Sequence, residues 1–269
     1  MIPAQPIPKI FSLSEEMKQE LKSKIEQDNS TKAPFWYDKF EIESQKNWDK
    51  FYRHNSTNFF HDRNYIEYEF PELSNNVDEK KIYCELGCGV GNTIFPLLKK
   101  FPNMIFYGFD ISKEAISLFQ KNELYSEDRI PLLSVCDLVK DPIPSFPSPD
   151  FSSLVFVLSA LSPENHNMVI KKISEFLKKD SYLYFRDYAK FDLAQLRFAE
   201  KKEARLKENF YVKTDRTRVY YFEKEELETL FKDNGFEVTQ CEYCMKVIEN
   251  RKTEEKMHRI WIQGRFKKL

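Results

Sequence analysis

Three of the chain's six glycines fall within five residues, at Gly87, Gly89 and Gly91. They directly follow the short apolar run KIYCEL (81–86) and open a helical stretch that reaches about Phe101. Glycine takes positive φ freely and lets a ligand come close to the main chain. A buried strand that turns through such residues into a helix is the building unit of a parallel α/β sheet. The rest of the chain follows that pattern. MIFYGFD (104–110), IPLLSVCD (130–137), FSSLVFVLSAL (151–161) and SYLYFRDYA (181–189) read as further strands. Helices fall between them, one capped by Ser112 and one opened by Pro163 and running to about Lys178. A last helix from Glu223 to Asn234 stops at Gly235, and FEVTQCEYCMKV and HRIWIQGRF close the sheet as a strand pair. The expected fold class is α/β, a doubly wound, mostly parallel seven-stranded sheet.

The first 78 residues do not share this rhythm. Residues 1–10 carry three prolines and read as a loose arm. Ser12 or Ser14 can cap a helix to about Gln27, and a second helix is expected from about Asp38 to His54. Residues 34–63 mix five basic side chains with nine aromatics, and 64–78 read as a linker. Two units are therefore expected: a helical extension over 1–78 and the sheet domain over 79–269. The sheet domain carries a charged helix-plus-ribbon insertion at about 190–222, and the four prolines of 140–150 mark a loop.

Composition removes several classes. Charged residues are 32% and hydrophobic residues 41%, which argues against disorder. The longest apolar run, 154–161, is too short to cross a bilayer, so no membrane partner is expected. Lys plus Arg number 42 against 43 Asp plus Glu, so only a local basic face could bind nucleic acid. The five cysteines, Cys84, Cys88, Cys136, Cys241 and Cys244, are an odd number and suit a reducing compartment. No secretory or mitochondrial leader is read at the start, and the expected compartment is the cytoplasm, with or without the nucleus. Cys241-x-x-Cys244 stands alone and alternates faces on a strand, so packing is expected there and no metal site.

The ligand can be narrowed from the turn itself. Its spacing is G-x-G-x-G with Glu85 two residues ahead of the first glycine, not the G-x-G-x-x-G built around a pyrophosphate. No Lys-Ser/Thr pair follows to grip phosphates. An acidic partner suits a ligand with a cationic amino group and no phosphates, and S-adenosyl-L-methionine is such a ligand. Asp110, 19 residues after Gly91, ends the second strand and can accept from both ribose hydroxyls. Asp137 ends the third and can accept from an adenine amino group. Alone, either is most often a helix N-cap; three acids at three successive strand ends are harder to explain that way.

ELGCGVGN with Phe109-Asp110 resembles the class I, Rossmann-like S-adenosylmethionine-dependent methyltransferases. The blocks QKNWDKFYRHNSTNFFHDR (45–63), ELGCGVGNTIFPLL (85–98), FVLSAL (156–161), FRDYAKFD (185–192) and ENFYVKTDRTRVYYF (208–222) together resemble the methyltransferase-like enzymes that make 3-methylcytidine at position 32 of tRNA anticodon loops. The resemblance runs from about residue 40 to the end. It implies that Trp48, Tyr52, Gly87, Asp110, Asp137, Leu138 and Val155 contact the cofactor, and nothing in it carries over to residues 1–39. It leans toward the serine-tRNA branch, which seryl-tRNA synthetase can assist, with threonine and arginine tRNAs left open. The 1–78 extension is expected to serve as cofactor lid and RNA-binding element. A monomer is expected.

Cytidine N3 has a free lone pair at neutral pH, which fits the lack of any Cys-His or Ser-His pair. Catalysis is then positioning in a dry, preorganised site. Asp187 is the candidate that offsets the charge developing on the base. Arg186 is expected to orient it or hold a phosphate or base edge, and Tyr188 to stack on a base. Read structurally, the same residues are an Arg–Asp pair beside a packed Tyr. Residues 186–218 carry ten basic against six acidic side chains, and 246–269 eight against three. With 34–63 they suit single-stranded RNA, which is gripped by cations and stacked on rings. Competing readings are a methyltransferase for a small molecule or protein, and a non-catalytic cofactor-binding subunit that activates another enzyme.

Overall fold

Strands buried on both faces have near-continuous apolar sequences and pair in parallel under helices. IYCEL, IFYGFD and FSSLV do this at the centre of the chain's main sheet. The computed structural model describes residues 9–11, 14–26, 31–74, 79–201, 203–249 and 256–269. A short strand β1 (Lys9–Phe11) precedes helices α1 (Glu15–Glu26), α2 (Pro34–Ile42), α3 (Ser44–Asn55), α4 (Ile66–Glu69) and α5 (Pro71–Ser74). The alternating part follows: β2 (Ile82–Leu86), α6 (Ile94–Lys100), β3 (Ile105–Asp110), α7 (Lys113–Gln120), β4 (Leu132–Val135), β5 (Phe151–Val155), α8 (Pro163–Phe176) and β6 (Tyr182–Tyr188). Next come α9 (Leu193–Ala199) and the ribbon strands β7 (Arg205–Lys207), β8 (Phe210–Val212) and β9 (Arg218–Tyr220). The last elements are α10 (Lys224–Asp233), β10 (Phe236–Glu249) and β11 (Lys256–Lys268).

The main sheet runs β1-β10-β11-β6-β5-β2-β3-β4. Its central five strands are parallel, while β11, β10 and β1 add antiparallel on one side. The seven expected strands are present. β1, inside the segment read as a loose arm, adds an eighth at the edge by pairing Lys9 with Met245 and Phe11 with Tyr243. The chain leaves β2 toward β3 and β4, then crosses back to β5 and β6. The order therefore reverses between β2 and β5, and the crevice at their carboxyl ends is where such a sheet binds ligands.

Period-two alternation assigns each strand residue a face. Cys84, Leu86, Tyr107, Phe109, Leu183 and Phe185 pack on one side, and Tyr83, Phe106, Phe151 and Tyr184 on the other. Several local expectations change. The helix expected over 38–54 is two helices broken at Glu43, with Pro34 opening the first. Residues 66–74 are not a linker: α4 and α5 bury Ile66, Phe70 and Leu73 beside Tyr83. The fourth strand stops at Val155 and continues as a 3-10 turn, Leu158–Ala160. The expected caps are in place. Ser14 and Ser112 accept from Met17 N and Ala115 N, and Gly235 follows α10 at φ +78°.

Candidate active site

The glycine turn is pinned from below. The N–H groups of Gly87 and Cys88 both donate to the Phe109 carbonyl, at 2.7 and 2.8 Å. Gly87, Gly89 and Gly91 all have positive φ. At all three there is also no room for a side chain. A Cβ on Gly87 would lie 2.2 Å from Val157 Cγ2, and one on Gly89 2.7 Å from the Tyr52 hydroxyl. Turn and neighbours thus close one wall of a cleft of about 760 Å³, part of it open to solvent.

Asp110 stands at the floor. Its Oδ2 accepts from Gly89 N and its Oδ1 from Ser112 N, both at 2.8 Å. Burial pushes its carboxyl up to about 6, against the pull of those two N–H donors. Each oxygen keeps a further lone pair for a hydroxyl donor. α3 supplies an adjoining wall with Trp48 and Tyr52, whose ring centroids are 6.0 Å apart. It is tied down by Asp49, which accepts from Ser112 Oγ at 2.7 Å. Asp137, Leu138 and Val155 complete the expected lining. Flat apolar walls, carboxylates at the floor and side-chain-free glycines fit an adenosine-bearing ligand such as S-adenosylmethionine.

Five expected residues sit elsewhere. Gly91 shapes the turn but does not line the cleft, and its Cα faces Phe95, where a Cβ would lie 2.3 Å from Phe95 Cε2. Glu85 does not line the cleft. It is fully buried behind the turn, where its Oε1 accepts from Arg63 Nη1 at 3.2 Å, and burial raises its carboxyl to about 7. Arg186 lies on the other face of the sheet from Asp187, as alternation along β6 requires. Its guanidinium pairs with Glu69 at 2.8 Å, donates to Gln263 and lies 4.4 Å from the Tyr65 ring centroid, so it neither orients Asp187 nor reaches a substrate. Asp187 is fully buried one layer behind the cleft. Its oxygens accept from Ser159 N and Tyr188 N at 2.9 Å each, and burial raises its carboxyl to about 7. The Tyr188 ring packs against Phe156 at 4.9 Å rather than lining the cleft.

Arg63, Phe60, Asn92 and Phe156 line the cleft and were not singled out from the sequence as cofactor residues. Arg63 anchors this side, donating to Thr93 Oγ1 at 2.8 Å as well as to Glu85. Lys213, in the ribbon insertion, lies 5.5 Å from the Trp48 ring centroid, and burial lowers its ammonium pKa. Arg218 of β9 bonds Ser162 at 2.9 Å and pairs with Glu41 of α2, which joins ribbon, extension and sheet domain beside the cleft.

A methyltransferase-domain family model matches residues 59–241. The human tRNA N(3)-cytidine methyltransferase METTL6 is 40% identical over 255 residues, covering 93% of this chain and 89% of its own. The tRNA N(3)-methylcytidine methyltransferase trm140 of Schizosaccharomyces pombe is 40% identical over 239 residues, covering 86% and 76%. Among solved structures, an S-adenosylmethionine-dependent methyltransferase from Anabaena variabilis superposes with a TM-score of 0.60 at 15% identity, covering 84% of this chain and 95% of its own. That likeness concerns the fold. Matched over most of its length by such relatives, and with a cleft of the required shape, the chain belongs to the S-adenosylmethionine-dependent tRNA N(3)-cytidine methyltransferase family.

Proposed function

We propose that this protein methylates N3 of cytidine 32 in the anticodon loop of tRNA, serine tRNAs first among them, with seryl-tRNA synthetase assisting. The observation that carries the reading is the cleft at the β2/β5 crevice, with Asp110 at its floor, an aromatic wall on α3 and Lys213 of the ribbon beside Trp48. S-adenosylmethionine supplies an electrophilic methyl group, and the free lone pair of cytidine N3 needs no general base to accept it. The protein's work is then to hold, orient and exclude water. Asp110 and Asp137 take the adenosine hydroxyl and amino donors, and Trp48 and Tyr52 cover its apolar faces. Asp187 lies behind the turn that lines the reactive end, so its negative charge offsets the positive charge that the base acquires. In that role it is a positioning and electrostatic residue, not one that touches the base.

The test is incubation of the purified protein with radiolabelled S-adenosylmethionine and a tRNA pool, followed by nucleoside analysis. Label in 3-methylcytidine at position 32 supports the reading. Label only in a small molecule or a protein, or no label without another methyltransferase subunit, replaces it with one of the competing readings. Mapping 3-methylcytidine across the tRNAs of cells lacking the gene decides the serine-tRNA assignment. Adding seryl-tRNA synthetase to the pure reaction decides the partner.

A further inference from the structure

The carboxyl ends of the central strands stand in a row. Asp137 lies beyond β4, Asp110 at β3, the glycine turn after β2, Phe156 after β5, and Asp187 with Tyr188 at the end of β6. An adenosine held by Asp137 and Asp110 directs the reactive end of the donor across the glycine turn toward β5. The first residue past that strand is Phe156. Its φ is +58°, a region that bulky L residues occupy only at a cost. The sheet enforces it: Phe156 N donates to the Arg186 carbonyl at 2.8 Å, which carries the β5–β6 pairing through the strained residue. The half-buried ring lines the cleft. Tyr188 packs behind it at 4.9 Å and 49°, and the Arg63 guanidinium lies 5.8 Å from its centroid. Glycine would accept this backbone without strain, so the fold itself has no need of a ring here. Backbone strain of this kind persists where the surroundings over-determine it, and it clusters at functional sites.

We infer that Phe156 is the platform on which the target base stacks, with Tyr188 as its buttress. The inference rests on the base-methylation reading above and adds the residue that receives the base. Aromatic stacking grips any flat base and fixes its plane. A base fixed in plane on Phe156 has only rotation within that plane left to aim its ring nitrogen at the donor. The stacking role expected of Tyr188 thus passes to the ring in front of it.

The experiment uses the full chain, S-adenosylhomocysteine, and an anticodon stem-loop RNA with pyrrolo-cytidine at position 32. Wild type quenches the fluorophore on binding. Phe156→Leu loses the quench and lowers kcat/KM for tRNA about tenfold or more, the effect of one lost stack. Phe156→Tyr keeps both, and in Phe156→Leu kcat/KM for tRNA falls further than donor affinity does. Phe156→Gly removes ring and strain together. It melts no lower than wild type yet does not quench, and it carries the test if the Leu variant fails to fold. Wild-type quench and turnover in Phe156→Leu or Phe156→Gly overturn the platform alone. A wild-type protein that methylates no cytidine in tRNA overturns the function and the platform together.

Discussion

Asp187 Oδ2 accepts from the Ser159 backbone N–H at 2.9 Å, and that bond ties the end of β6 to the 3-10 turn whose Ala160 lines the cleft. The other oxygen accepts from Tyr188 N at the same distance. Both donors lose their partner in Asp187→Ala, at about 1–3 kcal/mol for each buried unsatisfied group. Asp187→Asn keeps one acceptor and the shape but not the charge. We expect the Ala variant to melt lower and to lose turnover. The Asn variant should melt between wild type and the Ala variant, since one buried N–H still loses its acceptor, and should also lose most turnover, because the charge opposite the developing cation is gone. Donor affinity by calorimetry should stay within about tenfold in both, under about 1.4 kcal/mol. Normal turnover in Asp187→Asn removes the charge from the mechanism.

Gly89 and Tyr52 form a close pair. A methyl on Gly89 would sit 2.7 Å from the Tyr52 hydroxyl but 3.6 Å from the ring carbon behind it. Gly89→Ala therefore meets one atom that can be removed and one backbone strain, φ +52°, that cannot. Gly89→Ala should abolish donor binding and cost about 1–3 kcal/mol. In the Tyr52→Phe background the steric part vanishes, and the added cost should shrink toward about 1–2 kcal/mol. Equal costs in the two backgrounds, measured by urea unfolding, would show that the two side chains do not meet.

The Arg63–Glu85 pair sets up a double-mutant cycle. Glu85 is fully buried, its Oε2 has no hydrogen-bond partner, and Arg63 at 3.2 Å is its counter-charge. Arg63→Met leaves a buried carboxylate uncompensated, which costs about 3–5 kcal/mol. Adding Glu85→Gln should recover a large part of that stability. Donor binding should remain weak in the double variant, since Arg63 also lines the cleft. If the two costs simply add, the pair carries no coupling and this account of Glu85 is wrong.

How far the sequence reaches is plain from these residues. The glycine turn and Asp110 were legible because strand–turn–helix order fixes their place at a strand end. Arg63 was not, because it meets Glu85 22 residues further along the chain, and no periodicity or motif spacing links the two. The left-handed backbone of Phe156 had no signal, since a Phe carries no mark of positive φ. Other misses were readable. Ile66, Phe70 and Leu73 follow helical spacing within the supposed linker. The opposite orientations of Arg186 and Asp187 follow from strand alternation, which a motif read as one catalytic block conceals. The edge strand β1 is three residues long, too short for periodicity to register.

Three buried carboxyls make stability and donor binding respond to pH in opposite senses. Burial raises Asp110 to about 6, and Glu85 and Asp187 to about 7, all above their unfolded values. The folded form therefore binds more protons than the unfolded chain between about pH 4 and 7. The stability these groups contribute is complete at the acid end and is lost as pH rises through 6 and 7. Asp110→Asn and Asp187→Asn should each flatten the fall in melting temperature between about pH 5.5 and 7.5. Donor affinity should move the other way, weakening below about pH 6 as Asp110 takes up its proton, by at most tenfold per unit. A donor affinity independent of pH, by calorimetry, would remove Asp110 from the ribose contact.

The aromatic face of α2 allows charge and stacking to be tested separately in the tRNA binding proposed for it. Phe35 is 65% exposed and Trp36 39%, and Lys39 lies 5.8 and 5.0 Å from their ring centroids. Cations on a nucleic-acid surface release counterions, so each phosphate contact adds close to one to the slope of log affinity against log salt. Rings that stack on bases change affinity but not that slope. We expect tRNA affinity to fall steeply with salt. Lys39→Gln should lower the slope by about one. Trp36→Ala should weaken binding by about 1–3 kcal/mol at every salt concentration with the slope intact. A flat wild-type salt dependence, measured by fluorescence anisotropy, would take this face, and the extension that carries it, out of tRNA recognition.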